Sequence, residues 1–290
     1  MKQTNIKISL VITTYNSAKT LDLTLLSVSR QVEMPYEVII GDDGSTEDTR
    51  ELINKWRKQI SVPIKHIWQD DKGFRASRIR NLSFAIAQGN YIICIDGDII
   101  LNKYFIRDHR RMAVPHYVAC GSRVVLSSDQ TVYMQKNRLT DLPIHRMPLS
   151  HFMNAIRCPW LSYLFGMFYG KNNLLKGRSC NMAFWKEDMM AINGFDETFV
   201  GWGLEDTDYL LRILQSGTKK RFIKFGAIQY HQYHKERPFT RVEERKKLIE
   251  DVQSGVRPNY CQNGLSQDLP AVEVALKQSS RTEDIIRVLA

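Results

Sequence analysis

An α/β fold with a mainly parallel central sheet is predicted, and three observations predict it. Strand-like and helix-like segments alternate four times in the first hundred residues. The segment Tyr91–Ile95 is apolar without alternation, as in a strand buried on both faces. Finally, Tyr15, Asp42, Asp43, Asp96 and Asp98 each follow directly on a strand, so right-handed crossovers bring them to one rim.

The β-branched run Ile6–Thr13 reads as the first strand, and Thr14-Tyr15-Asn16-Ser17 breaks it. Asn16 or Ser17 then caps a helix running to about Arg30. Glu37–Gly41 is the second strand. It is followed by Asp42-Asp43-Gly44-Ser45-Thr46, whose Ser45 or Thr46 caps a helix over Glu47–Gln59. Ile64–Trp68 is a third strand. Ser77–Ala87 is a helix with one apolar side, ended by Gln88-Gly89-Asn90 before the strand from Tyr91.

Order weakens between Leu126 and Lys176, where Pro143, Pro148 and Pro159 interrupt the pattern. Leu161, Leu164, Phe165 and Phe168 stand at near-helical spacing, which predicts a helical insertion with its stripe packed internally; the alternative is a face for a membrane or an acceptor. Further on, Lys186–Ile192 and Tyr209–Gln215 read as helices, Lys220–Phe225 and Ala227–Tyr230 as edge strands, and Thr240–Gln253 as a helix. The division expected is a strand–helix half (1–125), an insertion with a second half of the same domain (126–239), and a charged helical tail (240–290).

A net charge of +10 suits an anionic partner, whether a phosphorylated substrate, an acidic membrane surface or nucleic acid. No recognised nucleic-acid motif is present, so no nucleic-acid partner is expected. The five cysteines are scattered without a metal-ligand pair, which fits reduced thiols. There is no apolar run of about 18 residues, and the start Met-Lys-Gln-Thr-Asn does not read as a signal peptide. A cytoplasmic protein, in peripheral contact with the inner face of the cell membrane, is the expectation.

Three acidic clusters carry the chemistry. Asp96-Gly97-Asp98 ends a buried strand, where unpaired charge is expensive unless a cation sits between the carboxylates; Asp-Gly is also an ordinary turn dipeptide. Asp42-Asp43 ends the second strand. In Gly201-Trp202-Gly203-Leu204-Glu205-Asp206-Thr207-Asp208, a flat ring precedes carboxylates at a helix start. That pattern suits a sugar ring stacked on Trp202 and a hydroxyl deprotonated by one carboxylate, although a helix's first turn favours acids in any case. His231 and His234 offer imidazole nitrogens, and Arg75, Arg78 and Arg80 could clamp a diphosphate.

With these residues in view, the chain resembles a family-2 glycosyltransferase of the GT-A fold. Val-Ile-Thr-Thr-Tyr-Asn (11–16), Val-Ile-Ile-Gly-Asp-Asp-Gly-Ser-Thr-Glu-Asp-Thr (38–49), Arg-Ile-Arg-Asn (78–81) and Gly-Asn-Tyr-Ile-Ile-Cys-Ile-Asp-Gly-Asp (89–98) carry the likeness. The second half resembles β-1,4-galactosyltransferases and bacterial chondroitin polymerases in Gly-Arg-Ser-Cys-Asn-Met-Ala-Phe-Trp (177–185), Gly-Phe-Asp-Glu-Thr-Phe (194–199) and Gly-Trp-Gly-Leu-Glu-Asp-Thr-Asp (201–208).

The resemblance implies inverting transfer of a hexose or N-acetylhexosamine from a UDP-sugar to a glycan or lipid-linked glycan hydroxyl in bacterial surface-polysaccharide synthesis. It implies Mn2+ as the ion, with Mg2+ as the alternative. Thr13, Tyr15, Asp42 or Asp43, Arg78, Arg80, Asp96, Gly97, Arg178 and Asn181 would then line the nucleotide-sugar site. Asp98 would hold the metal with His231, His234 being the fallback. Asp206 would be the general base, with Trp202, Gly203 and Glu205 at the acceptor. Leu204 and Thr207 depart from the galactosyltransferase pattern, so acceptor and donor identity stay open. The competing functions are a non-catalytic carbohydrate-binding protein and a sugar-1-phosphate nucleotidyltransferase. The latter would carry a glycine-rich phosphate loop where Thr14-Tyr15-Asn16-Ser17 stands.

Overall fold

The computed structural model describes residues 5–147, 149–166, 168, 177–201, 203–235, 241–282 and 285–289. In chain order the elements are β1 (Ile8–Thr14), α1 (Ala18–Ser29), β2 (Glu37–Asp42), α2 (Glu47–Arg57), β3 (Ile64–Gln69), α3 (Ala76–Ala85), β4 (Tyr91–Asp96) and β5 (Ile99–Leu101). There follow α4 (Phe105–Met112), β6 (Tyr117–Gly121), β7 (Val124–Val125), α5 (Ser128–Lys136), α6 (Phe152–Ala155) and α7 (Pro159–Gly166). The last are β8 (Met182–Trp185), α8 (Lys186–Ala191), α9 (Glu205–Gln215), β9 (Lys219–Ile223), β10 (Gln229–His231), α10 (Val242–Gln253), α11 (Leu265–Thr282) and β11 (Ile286–Val288).

Eight strands form the main sheet in the order β11-β3-β2-β1-β4-β8-β6-β9. Every pairing is parallel except those of β8, which runs antiparallel to both β4 and β6. Both faces of the sheet are covered, which is why its strands lack alternation. Ile8, Leu10, Ile12, Val38, Ile40, Tyr91, Ile93 and Ile95 pack with α1, α2 and α4 on one side. Val11, Ile39, Ile67, Ile92 and Cys94 point the other way, onto α3, α8, α9 and α11. A smaller sheet, β5-β10-β7, stands beside the main one, with β10 antiparallel to β5 and parallel to β7.

Two expectations are corrected. The segment around Ala227–Tyr230 is not an edge strand, because β10 is the middle strand of the small sheet. In the helical tail, Leu265, Val272 and Ala275 of α11 enter the core, and β11 extends the main sheet alongside β3. In α7 the stripe faces outward. Ser162 and Gly166 are its buried positions, while Trp160, Tyr163, Leu164 and Phe165 are exposed. All five cysteines are free thiols, and among the described residues no helix is long and apolar enough to cross a membrane.

The docking of α11 uses a carboxyl pair. Asp268 accepts from Arg78 Nε at 3.2 Å, and its carboxyl is buried. Glu197 lies against it, accepting from Asn81 Nδ2 at 2.7 Å and Gln267 Nε2 at 3.1 Å. Burial, then the hydrogen bond to Asp268, pushes the Glu197 carboxyl up to about 8 from its ordinary 4.5. The folded protein therefore keeps a proton that the unfolded chain has released, and the stability this brings is present below pH 4.5 and lost as pH rises toward 8. Glu197→Gln, which mimics the protonated acid, is expected to flatten this fall in urea-unfolding free energy between pH 5 and about 8. An unchanged slope would remove Glu197 as its source.

Candidate active site

Sheet register assembles the site. Thr13 of β1 pairs with Gly41 of β2 on one side and Asp96 of β4 on the other, and Thr14 pairs with Asp42. The order β3-β2-β1-β4 reverses direction at β1, so the carboxyl ends of β2, β1 and β4 frame a switch-point crevice. Gly97 turns the chain there: its N–H donates to Thr13 O at 2.8 Å, and an added Cβ would stand 3.0 Å from Thr14 Oγ1.

At the end of β2, Asp43 accepts from the Arg75 N–H at 3.0 Å and from Gln69 Nε2. Burial raises its carboxyl, and those two donors oppose the shift. Tyr15 is exposed at the rim and donates from Oη to Asp71 Oδ2 at 2.9 Å. Asp42 is turned inward, against His66 Nε2 at 2.9 Å and the Ser45 N–H at 2.8 Å. Of the two acids in that pair, Asp43 is thus the one beside the crevice wall, while Asp42 braces β2 against β3.

Arg80 is the centre of the site. It projects from α3 with 5% of its side chain exposed, and its guanidinium lies 3.5 Å from Asp96 Oδ1, 3.4 Å from Asp206 Oδ1 and 3.7 Å from Glu205 Oε1. Burial disfavours its charge, but Asp206, Asp96 and Glu205 outweigh that and hold its pKa above the ordinary value. The Phe195 ring supports the cation from one side at 5.2 Å. Asp206 also accepts the Ser179 N–H at 3.0 Å through its second oxygen. Glu205 is buried, and burial followed by the Asp206 charge raises its carboxyl. It accepts the Gly203 N–H at 2.8 Å, where the backbone has φ of +110°, a left-handed conformation that favours glycine.

The small sheet supplies the other wall. Pairing of β10 with β5 sets His231 opposite Ile99, one residue beyond Asp98. His231 Nε2 and His234 Nε2 consequently lie 3.6 and 3.5 Å from Asp98 Oδ2. The three ligand atoms fall within 4.8 Å of one another, and Asp98 Oδ1 is buried with no hydrogen-bond partner. An orphaned carboxylate oxygen beside two imidazole nitrogens is a donor set that fits a Mn2+-like cation.

The other expected residues are placed as follows. Asn181 is 1% exposed, and its amide is engaged by Ser122 O, Ala227 O and His109 Nε2, which braces the loops behind the wall. Arg78 donates to Asp268 and to Gln69 Oε1 at 3.0 Å, steadying the residue that holds Asp43. Arg80 is engaged by the carboxylates. Arg178 is exposed next to Ser179, and Trp202 lies outside the described residues. Sequence reading missed Asp71, which the same strand-end rule could have found, and the Ser179 N–H, which no residue type announces.

Replacing Arg80 with Met leaves three carboxylates facing one another, so the unfolding free energy in urea should fall by about 3–5 kcal/mol. A fall below about 1 kcal/mol would show that the cluster does not depend on the guanidinium.

The comparisons with known proteins agree with this geometry. Residues 9–178, more than half of the chain, match the family described as glycosyl transferase family 2, and residues 167–236 match the N-terminal domain of galactosyltransferase. The chain is 29% identical over 248 residues to chondroitin synthase of Escherichia coli, an alignment covering 78% of this chain and 34% of that protein. It is 26% identical over 238 residues to validoxylamine A glucosyltransferase of Streptomyces hygroscopicus subsp. limoneus, covering 72% of this chain and 48% of that one. The chain thus spans half or less of the length of either relative. In fold it is similar to S. aureus TarS 1–349, solved in complex with UDP-GlcNAc, with a TM-score of 0.61 at 17% identity over 96% of this chain and 74% of that one. The switch-point crevice, the register that lines it and the sequence matches converge on one assignment: the chain belongs to glycosyl transferase family 2 and has the GT-A fold, with a galactosyltransferase-like second half.

Proposed function

We propose that the protein is an inverting glycosyltransferase. It moves a hexose or N-acetylhexosamine from a UDP-sugar to a hydroxyl of a glycan or lipid-linked glycan acceptor, in the synthesis of a bacterial surface polysaccharide. The observation that carries this reading is the linkage of Asp96, at the donor-side strand end, to Asp206 through Arg80. A binding module has no need of a carboxylate so oriented beside a strand-end acidic pair. The relatives named for chondroitin synthesis and glucosyl transfer, and the UDP-GlcNAc bound by TarS, support the choice of donor class.

In this reading Asp43, Tyr15 and Thr13 line the nucleoside end of the crevice, and Asp96 with Gly97 lies under the sugar. Residues 1–125 form the nucleotide-sugar half and residues 126–239 the acceptor and catalytic half of one domain. Asp98 and His231, with His234 beside them, would hold Mn2+, which when bound offsets the charge of the diphosphate. Asp206 removes the proton of the acceptor hydroxyl as that oxygen forms its bond to the anomeric carbon, and UDP leaves with the electrons of the broken C–O bond. Bonds from Ser179 N–H and Arg80 hold the Asp206 carboxylate in one orientation, so little reorganisation is needed at transfer. A single displacement of this kind inverts the anomeric centre.

A panel of UDP-, GDP- and CMP-sugars, with Mn2+ and then with EDTA, tests the reading. Turnover of one UDP-sugar is expected, and Asp206→Asn should lower kcat by about 10²–10⁴ with donor KM little changed. Asp98→Ala should abolish stimulation by the divalent ion. If no nucleotide sugar binds or turns over under any condition, the transferase reading fails; metal-insensitive turnover in the wild type removes only the role given to Asp98 and the histidines.

A further inference from the structure

Helix α7 is inside out. An ordinary surface helix buries its large apolar residues and exposes its small polar ones. Here Ser162 is 3% exposed and Gly166 is buried, whereas Trp160 is 69%, Tyr163 58% and Phe165 43% exposed. The reason lies beneath the helix. Ser162 N donates to Cys158 O, the Ser162 hydroxyl lies close to Gly226, and Gly166 packs on Met112 and Arg221. Only small side chains fit that close approach, so the aromatic ones are forced outward. Phe168, at 74% exposure, and Met153 of α6, at 53%, extend the apolar surface.

The part of the sequence that carries this face is basic. Between Asp141 and Glu187 it contains no Asp or Glu, and among the described residues there Arg146 and Arg178 are exposed. The strand against which α7 packs, β9, opens Lys219-Lys220-Arg221, and the Arg221 guanidinium lies 5.3 Å from the centre of the Tyr163 ring. Asp108, which lies beside Gly226 beneath α7, is taken up by Arg157 at 2.8 and 2.6 Å. The face also adjoins the crevice. Asn154 of α6 donates to Arg123 O, and the Arg123 charge acts on Asp98.

We infer that α6 and α7 form a docking face for an anionic lipid surface, with Trp160 and Tyr163 entering the headgroup layer and exposed basic residues of this part of the chain, such as Arg146, Arg178 and Lys219, meeting lipid phosphates. Exposed Trp and Tyr in a basic stretch suit the boundary between water and acyl chains, where an amphipathic ring with a polar tip is best accommodated. A soluble glycan would stack on one such ring but gains little from a basic stretch; lipid phosphates gain from both. The inference deepens the proposed function by placing the crevice at the surface where a lipid-linked acceptor resides, but the face itself does not depend on that reading.

Sedimentation of the full chain with phosphatidylglycerol vesicles and with phosphatidylcholine vesicles is the test, alongside UDP-sugar hydrolysis in solution. Binding to the anionic vesicles alone is expected, weakened by high salt as charge is screened. Trp160→Ala with Tyr163→Ala should lower the bound fraction by about tenfold and leave solution hydrolysis unchanged. Quenching of wild-type tryptophan emission by brominated phosphatidylglycerol requires no variant, and so reports even if the substituted protein folds poorly. Absence of vesicle binding, equal binding to both lipids, or full binding by the double variant overturns the inference. So does self-association without lipid that the double variant abolishes, because a second copy would then cover the face. Absence of UDP-sugar hydrolysis by the wild-type chain, with its vesicle binding intact, would count against the transferase reading alone.

Discussion

One buried guanidinium ties the two halves of this protein together. Arg80 rises from the third helix, in the half that ends the parallel strands, and meets Asp96 from its own half and Glu205 and Asp206 from the other. Three carboxylates at these separations repel unless a cation lies among them, and a cation with little solvent around it is unfavourable unless acids surround it. Each side of the cluster therefore requires the other. The planar fork matters as much as the charge, because two nitrogens of one group reach acids on different elements, which an ammonium on a flexible stem does poorly. The backbone follows suit: α9 begins where its first two residues can reach Arg80, and Gly203 takes a left-handed conformation to let the chain arrive there.

The small sheet solves a different problem. Asp98 sits past the end of β4, where a parallel sheet offers its carboxylate no neighbour. By pairing β10 with β5, the chain returns from more than a hundred residues away and delivers His231 and His234 to that carboxylate. Leu23, Ile100, Val124, Leu126 and Tyr230 pack together beneath, so the position of the histidines depends on an apolar cluster as well as on a ladder of hydrogen bonds. Asn181, buried between His109 and two backbone carbonyls, fixes the neighbouring loops in the same way. Residues that never touch a ligand thus set the dimensions of the crevice.

How much of this the sequence discloses depends on the range of the interaction. Strands β1, β2 and β4 are legible because burial on both faces writes an unbroken apolar run, and their terminal acids are legible because a charge there contradicts that run. The convergence of Asp43, Asp96 and Asp98 follows from topology and needs no side-chain detail. By contrast, β11 is three residues long and carries no period that separates it from a loop. The spacing of Leu161, Leu164 and Phe165 announces a stripe but not its direction, because the deciding feature is how closely Ser162 and Gly166 let the helix approach. The bond from Ser179 to Asp206 is a backbone donor, to which identity contributes nothing. Asp42 and Asp43 look alike as letters, and only the neighbouring His66 separates brace from binding wall.

The order of these parts along the chain has its own meaning. Strands β1 to β4 and their helices lie within residues 8–96, whereas Asp206 and His231 come more than a hundred residues later. A nascent chain that has reached β4 holds the strand-end acids Asp42, Asp43 and Asp96, but of the three carboxylates around Arg80 it has only Asp96. The crevice is therefore assembled only after the later residues have joined the first sheet.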